Sequence, residues 1–445
     1  MIVKKVNLKE IIGGRYDTSY ILFHHRLLSY KFPSSPLQKF LIGKPQYGAN
    51  EASISRENNE VPRYIRITDI DENGCLADNL GATAKKVEPK YILKNNDILI
   101  ARSGNTVGKS YIHKTETVNE TCFFAGYLIR FVIDSKSILP DYVFIFTKLS
   151  VFANWVKVTQ RVTGQPNINA EEYSNLPILV PPKEIQRRII EIYKNAQKAR
   201  LNKINEAKQL LNSIDDYILD VLGILKTEKK GQSNIFHKQK VSSIIGGRFD
   251  PSQFHLERTE TIDRIKKGDW CKLKSVIHNV KTTSNHISPN DTYVGLENIN
   301  GDTGEYVTTN EKESVSSAAL FKKGDILFPK LRPYLNKVYR AQFDGCCSTE
   351  FHVFEAHDIH PDFLTIILRS NLVLAQTKHL MTGNTLPRLQ TTDIENLIIP
   401  YPDMVVQETI VDYVNELQKK ARLLKDDGNR LLENAKIKIE NIIIG

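Results

Sequence analysis

Apolar residues recur at helical spacing through one stretch near the middle of the chain, from Pro181 to about Gly223. Steps of four and three residues alternate with one slip, which predicts a single long coiled-coil helix. The predicted seam contains Ile185, Ile189, Ile192, Ala196, Ala199, Ile204, Ala207, Leu211, Ile214, Ile218 and Val221. About 40 residues make a rod roughly 60 Å long, so we expect it to need a partner helix.

The end of the chain repeats this pattern after Pro400-Tyr401-Pro402. The second predicted seam contains Val406, Ile410, Tyr413, Leu417, Ala421, Leu424, Leu431, Ala435 and Ile442. We expect the two long helices to pack antiparallel. Apolar residues outside both seams, among them Leu210 and Leu432, are predicted to lie on outer faces. Part of that surface should pack against the globules, and a partner's helices could cover the rest.

The two halves of the chain carry the same motifs in the same order. Ile11–Asp17 recurs as Ile244–Asp250, and Asn96–Leu99 recurs as Gly324–Leu327. Other matching pairs are Tyr64–Ile67 with Tyr293–Leu296, Pro140–Tyr142 with Pro361–Phe363, and Asn175-Leu176 with Asn396-Leu397. A repeat of half the chain length indicates two paralogous units that share a scaffold.

Each unit ahead of its long helix combines short strands with one shorter helix. Strand-like runs include Ile98–Ala101 and Phe123–Ile133, and the shorter helices are predicted from Asp141 to about Lys157 and from Asp362 to about His379. The predicted fold class is α+β: two duplicated, β-rich globules separated by two long antiparallel coiled-coil helices with pseudo-two-fold symmetry. Predicted boundaries are 1–180 and 241–402 for the globules, 181–225 and 403–445 for the helices, and 226–240 for a linker.

Composition suggests an anionic partner. The formal net charge is +10, and 41% of the 445 residues are apolar, as in globular proteins. Nucleic acid is favoured over membrane because no run of 18 apolar residues is present, and without a signal-peptide pattern at the start we expect a cytoplasmic protein. Five cysteines without C-x-x-C spacing indicate reduced thiols and no metal site.

Motifs for catalysis are weak. Gly104–Ser110 resembles a phosphate-binding P-loop but is one residue short, and a strand is expected after it where a P-loop needs a helix. Glu88-Pro89-Lys90 resembles the Glu-x-Lys of metal-dependent nucleases, but its proline breaks the strand and the second half lacks it. We therefore predict no catalytic residues and no metal ligands in this chain.

Two polar, basic loops in each half are better candidates for touching DNA. They span residues 102–109 and 163–169 in the first half, and 330–337 and 382–388 in the second. Arginine, lysine, asparagine and glutamine pair with base edges or phosphates. The candidate DNA-binding residues are Arg102, Ser103, Asn105, Lys109, Thr163, Gln165, Asn167, Lys330, Arg332, Tyr334, Lys337, Asn384 and Arg388. These loops differ more between the copies than the scaffold does, as expected if each copy reads its own sequence.

The whole chain resembles the specificity subunit of type I restriction-modification systems. The family's Gly-Asp-Ile-Leu strand is matched by Gly324–Leu327 and, with one change, by Asn96–Leu99. Its Pro-Pro turn followed by Glu-Gln-x-x-Ile resembles Pro181–Ile189, and Val406–Ile410 keeps part of it. One departure is Pro329–Pro333, where many members carry a glycine-bearing loop.

This resemblance implies a non-enzymatic subunit whose two target-recognition domains each bind half of a bipartite site in double-stranded DNA. It also implies two modification (methyltransferase) subunits as partners, with motor-nuclease subunits joining for restriction. S-adenosylmethionine, ATP and magnesium would belong to those partners, so no cofactor is expected on this chain. The sequence leaves open a type IIB-like or other modification complex, a fragment of a single-chain restriction enzyme, and a scaffold that binds protein.

Overall fold

The computed structural model describes residues 18–160, 165–226, 251–285, 292–308, 317–381 and 387–445. The repeated motif at Ile11–Asp17 and Ile244–Asp250, and nearly all of the predicted linker, lie outside these ranges. The chain forms two compact units. Unit 1 comprises Met1–Asn202 and Asp427–Gly445, and unit 2 comprises Lys203–Asp426. Each unit therefore contains one globule and a segment of both long helices.

Unit 1 is built from ten short strands and the helices around them, within its described residues. The strands are β1 (Ser34–Pro36), β2 (Gln46–Tyr47), β3 (Ser53–Ser55), β4 (Arg63–Ile65), β5 (Ala82–Ala84), β6 (Ile98–Ala101), β7 (Ser110–Ile112), β8 (Cys122–Phe124), β9 (Leu128–Phe131) and β10 (Pro177–Leu179). The helices are α1 (Thr18–Leu27), α2 (Pro140–Phe146), α3 (Ser150–Thr159), α4 (Ala170–Ser174) and the first part of α5 (Lys183–Val221).

Unit 2 repeats this series. Its strands are β11 (Trp270–Lys272), β12 (Ile277–Val280), β13 (Thr283–Ser284), β14 (Tyr293–Val294), β15 (Ala318–Phe321), β16 (Ile326–Pro329), β17 (Tyr339–Arg340), β18 (Gly345–Cys347), β19 (Phe351–Ala356) and β20 (Ile398–Pro400). The helices are α6 (Leu256–Ile265), α7 (Pro361–Arg369), α8 (Asn371–Thr377), α9 (Thr391–Glu395) and the first part of α10 (Met404–Ile443).

Sheet topology confirms the predicted α+β fold and its duplication. One four-stranded sheet has the order β2-β9-β6-β7 in unit 1 and β12-β19-β16-β17 in unit 2. A second sheet has the order β3-β5-β4-β8 in unit 1 and β13-β15-β18-β14 in unit 2, so the counterparts of β4 and β8, which are β14 and β18, exchange places in unit 2. The pairs β4–β8 and β14–β18 are parallel, and the short pairs β1–β10 and β11–β20 are antiparallel.

The duplicated Asp-Ile-Leu motif begins an inner strand of the first sheet, and the reason is local. The Oδ2 atom of Asp97 accepts the Lys94 N–H at 2.9 Å, and that of Asp325 accepts the Lys322 N–H at 2.8 Å. Asn96 and Gly324, just before each aspartate, have φ of 71° and 99°. Asparagine and glycine are the residues that adopt this left-handed conformation most readily, so both sequences fit the same turn.

Each short helix predicted as one element is two helices. In unit 1 the break follows Phe146, and the carboxylate of Glu440 on α10 accepts the N–H of Ser150, the first residue of α3. In unit 2 the break falls at Ser370, and Asp215 on α5 accepts the Asn371 N–H at 3.0 Å. A carboxylate supplied from far along the chain satisfies each free helix N-terminus, which local sequence patterns do not reveal.

A buried glutamine fixes the start of each long helix. Gln186 accepts the Leu139 N–H at 3.0 Å and donates to the carbonyl of Pro181 at 2.8 Å. Gln407 makes the same two bonds in unit 2, to the N–H of His360 at 2.8 Å and to the carbonyl of Pro402 at 2.9 Å. Both side chains join the turn before the long helix to the turn before the shorter one.

In unit 1 the segments of α5 and α10 run antiparallel. Arg200 Nε donates to Asn429 Oδ1 at 2.9 Å, and Glu433, further along α10, lies near Tyr193, earlier on α5. In unit 1 the predicted seam of α10 is displaced by one residue at Leu431 and Ile442. Leu432 and Ile443 are buried, whereas the predicted seam residue Leu431 is 37% exposed.

The placement of Leu432 on an outer face was therefore wrong, for a physical reason. The α10 segment packs on the globule as well as on α5, so its buried stripe is wider than a coiled-coil seam. The stripe also passes through Gly428, where an added Cβ would lie 3.3 Å from the Arg200 carbonyl oxygen. Glycine gives no hydrophobic signal, so a count of apolar positions passes over it.

Candidate nucleic-acid interface

In both units the two predicted DNA-contacting loops are hydrogen-bonded to each other. In unit 1 the Gly104 N–H donates to Pro166 O at 2.9 Å, and the Ile168 N–H donates to Arg102 O at 2.9 Å. In unit 2 the Arg332 N–H donates to Pro387 O at 3.2 Å, and the Leu389 N–H donates to Lys330 O at 3.0 Å. These bonds make Arg102 and Lys330 structural equivalents, as they do Gly104 and Arg332.

The departure at Pro329–Pro333 keeps the backbone shape of the first copy. Gly104 has φ of 75°, and Arg332 has φ of 48° although it is not glycine. Asn336, on the other side of the turn Pro333–Leu335, also has positive φ, at 54°. A left-handed arginine costs about 1–2 kcal/mol, and it presents a long cationic side chain where the first copy has none. Arg332 is exposed.

In unit 1, Arg102 lies over an aromatic ring. Its guanidinium carbon is 5.1 Å from the centre of the Tyr47 ring, and the hydroxyl of Tyr47 accepts the Ala170 N–H at 3.1 Å. The backbone N–H of Arg102 donates to Tyr127 O at 3.0 Å. The Tyr127 side chain is 61% exposed, so a cation and two tyrosines share this edge of the sheet.

The other unit 1 candidates surround this position. Ser103 pairs with Asn167 in an isolated antiparallel bridge, and the side chains of Asn105 and Gln165 are exposed. Lys109 is held differently: its ammonium lies 3.1 Å from Glu72, and its side chain is only 12% exposed. This ion pair offsets the charge that Lys109 would offer to a phosphate.

The candidate DNA-binding residues of unit 2 make contacts that differ from those of unit 1. Lys330 Nζ donates to Thr349 O at 2.8 Å, and burial lowers the pKa of this lysine. Arg388 donates through Nε and Nη2 to the Glu350 carboxylate at 2.9 and 2.7 Å, which lowers the pKa of Glu350. Tyr334 is 45% exposed. Lys337 Nζ donates to Leu296 O at 2.7 Å, so its ammonium is partly engaged.

The remaining sequence predictions concern two further loop residues and the two weak catalytic motifs. Thr163 and Asn384 lie outside the described residues. The P-loop-like segment is followed by the strand Ser110–Ile112, so it lacks the helix a phosphate would need. Glu88 lies beside a 3-10 turn, 3.1 and 2.8 Å from Lys86 and Lys90, and has no strand to hold it as a nuclease carboxylate.

One His/Glu cluster among the described residues has metal-ligating atoms close together: His255, Glu257 and His379. The two imidazoles are stacked, with centroids 3.6 Å apart and planes 15° apart. Lys378 lies 2.5 Å from the Glu257 carboxylate. Imidazole binds a metal through the in-plane lone pair of a ring nitrogen, and parallel rings do not direct two such lone pairs to one point. The cluster is therefore an ion-pair network in this conformation.

Sequence reasoning missed Tyr47, Tyr127 and Glu350. Tyr127 follows β8 and precedes β9, and Glu350 occupies the equivalent position in unit 2, because the Lys330 N–H donates to its carbonyl at 2.8 Å. Tyr47 reaches Arg102 only because β2 and β6 flank β9 in one sheet. The duplicated order of motifs was the available signal, since it identifies which turns are equivalent. None of the described helices is long and apolar enough to cross a membrane.

Comparison with known proteins identifies the relatives. A family profile described as type I restriction modification DNA specificity domain matches residues 48–212 and 264–433. The specificity subunit of the type I restriction enzyme MjaVIII from Methanocaldococcus jannaschii is 21% identical over 83% of each chain. The EcoDI specificity subunit from Escherichia coli is 24% identical over 86% of each chain.

A solved structure, the type I restriction-modification S subunit from M. genitalium, is 11% identical, with a TM-score of 0.38 over 93% of this chain and 96% of that one. The family profile matches both halves of the duplication. The chain therefore belongs to the family of type I restriction-modification specificity subunits and contains two copies of its DNA specificity domain.

Proposed function

We propose that this chain recognises a bipartite sequence in double-stranded DNA, with one half-site bound by each unit. The observation that carries this proposal is the pair of linked loops, joined by equivalent hydrogen bonds in both units but carrying different side chains. A shared backbone with different side chains suits two domains that recognise different DNA sequences. Side chains specify bases, whereas the scaffold sets their position.

The chain acts as a recognition subunit without chemistry of its own. Its linked loops hold basic and aromatic side chains suited to DNA, and its P-loop-like and nuclease-like segments lack the geometry those reactions need. We propose that methyl transfer, DNA translocation and cleavage belong to two methyltransferase subunits and to motor-nuclease subunits in a cytoplasmic complex. S-adenosylmethionine, ATP and magnesium would be bound by those partners.

Partner binding is supported by apolar side chains that the long helices leave exposed. Leu201 on α5 and Leu423 on α10 are 39% and 58% exposed. Changing both to glutamate should abolish co-purification of a co-expressed methyltransferase subunit. The matched control is Leu28→Glu, because Leu28 is 82% exposed but lies outside the long helices. Retention of the partner by the double variant would contradict recruitment through these side chains.

DNA binding is tested with the full-length chain, co-expressed with its methyltransferase subunit, and a duplex containing the selected target. Affinity should fall linearly with salt on logarithmic axes, because binding releases counterions from the phosphates. The double variant Arg102→Ala/Lys330→Ala should bind about 10-fold or more weakly. Lys419→Ala, which removes an exposed charge from α10, should have little effect. Salt-independent binding, or equal loss in the control, would contradict the proposal.

The alternatives give different results in simple assays. A fragment of a single-chain enzyme would cleave or methylate DNA when the purified chain is supplied with magnesium and S-adenosylmethionine. A protein-binding scaffold would show no salt-dependent DNA binding. A type IIB-like complex would co-purify with a fused nuclease-methyltransferase in place of separate subunits.

A further inference from the structure

The position that holds the Tyr47 ring in unit 1 is open in unit 2. Tyr47 on β2 pairs with Ile129 of β9. Ile129 faces Ile100 of β6, and His352 faces Phe328 of β16. Because Ile100 and Phe328 are equivalent positions of the duplicated strand, Ile129 and His352 are equivalent as well. Val280 on β12 faces Val353, so the residue opposite His352 is Lys281, one position beyond that strand. Lysine thus replaces tyrosine at this place in unit 2.

The two equivalent cations, Arg102 and Lys330, therefore have different surroundings. In unit 1 the Tyr47 ring lies beneath Arg102 and bonds to the first residue of α4. In unit 2 a cavity of about 210 Å³ lies beside Lys330. Its lining includes Lys281, Lys330, Thr349, His352 and Thr391, the first residue of α9. One unit therefore has a supported guanidinium, and the other has an unfilled cavity whose lining combines two lysines with apolar side chains such as Phe351.

These two arrangements suit different parts of DNA. A planar guanidinium that lies against a ring is held in one orientation, and its fork matches the O6 and N7 acceptors of guanine. No described residue accepts a hydrogen bond from the Arg102 guanidinium, and its Nε is buried without a partner. A lysine ammonium is a point charge without a preferred plane, and two lysines that line one cavity together with threonines suit the oxygens of a phosphate.

We propose that Arg102, held by Tyr47, reads a guanine in the half-site of unit 1, whereas Lys330 and Lys281 hold a backbone phosphate in the half-site of unit 2. This inference rests on the proposed DNA-binding function and assigns base recognition to one of two equivalent positions and phosphate binding to the other. Tyr47 is a positioning residue: it touches Arg102 and sets the plane of its guanidinium.

The experiment uses the full-length chain with its co-expressed methyltransferase subunit, and measures affinity for the selected duplex and for duplexes with each base pair changed. Arg102→Lys should keep the charge but reduce preference for one G·C pair by about 10-fold or more. Tyr47→Leu should relax the same base pair, and Tyr47→Phe, which keeps the ring, should retain most of the preference.

Lys330→Gln should weaken binding to all these duplexes alike and reduce the salt slope by about 1. Circular dichroism and an unchanged unfolding midpoint verify that each variant is folded. Unchanged base preference in folded Arg102→Lys, or a base-specific loss in Lys330→Gln, would overturn this assignment while leaving DNA binding intact. Absence of salt-dependent binding by the wild-type chain would instead refute the proposed function itself.

Discussion

Replacing Leu432 with alanine should destabilise unit 1 strongly, whereas replacing its neighbour Leu431 should not. Leu432 is 2% exposed and belongs to the unit 1 core together with Ile189 and Tyr193, but Leu431 is 37% exposed. Both changes remove the same atoms and alter helix propensity equally. Truncating a buried leucine costs about 2–5 kcal/mol, because transfer energy is lost and a cavity remains. A surface change costs about 0.5 kcal/mol.

Tryptophan fluorescence separates the two units. The chain has two tryptophans, of which Trp155 is buried in unit 1 and Trp270 is 40% exposed in unit 2. In a Trp270→Phe background, urea unfolding therefore reports on the environment of Trp155. With a slope of about 2–3 kcal/mol per molar urea, Leu432→Ala should lower the unfolding midpoint by roughly 1 M. Leu431→Ala should lower it by about 0.2 M.

Equal shifts in the two variants would refute the observed position of the buried stripe on α10. An unchanged Trp155 transition in Leu432→Ala would show that the end of α10 does not stabilise unit 1. Because Leu431 and Leu432 are adjacent, any general effect on α10 is shared and cancels in the comparison.

Three further outcomes are expected. Gln407→Leu should destabilise unit 2 by about 1–3 kcal/mol, because the His360 N–H and the Pro402 carbonyl lose their hydrogen-bond partner. Gln209→Leu, at an exposed position, should not destabilise it, and chemical denaturation measures both variants. Asp215→Ala should cost about 1 kcal/mol through the uncapped start of α8, which hydrogen exchange of the α8 amides would detect. Burial lowers the pKa of His352 to about 4, so the unfolded chain binds more protons between about pH 6.5 and 4, and stability falls as pH falls through that range. His352→Phe should lack this loss, measured as protection of β16 and β19 amides at pH 5 and 7.

Features that depend on neighbouring residues in sequence could be predicted. Ile98–Ala101 was predicted and found as a strand, because a continuous apolar run bounded by turn residues identifies a buried strand. The duplication followed from the order of motifs alone, and the matching strand order of the first sheet in each unit confirms it. The two loops of each unit were selected for their polar, basic character, and they prove to be hydrogen-bonded partners.

Features that depend on contacts between residues far apart in the sequence could not be predicted. The breaks before Ser150 and Asn371 are stabilised by Glu440 and Asp215, which lie 290 and 156 positions away in the two long helices. The position of Arg102 over the Tyr47 ring requires the pairing of β2 and β6 with β9. Local propensity carries no information about such contacts.

The most direct test of the account is selection of bound duplexes from a fully random library by the full-length chain with its co-expressed methyltransferase subunit. Two blocks of conserved bases separated by a spacer of fixed length and free sequence are predicted, because two units with different loops each read one block. Changing unit 1 loop residues should then alter one block only, with Arg102→Lys relaxing a single G·C pair. One continuous block, changes in both blocks from a unit 1 variant, or no enrichment would contradict recognition by two independent units.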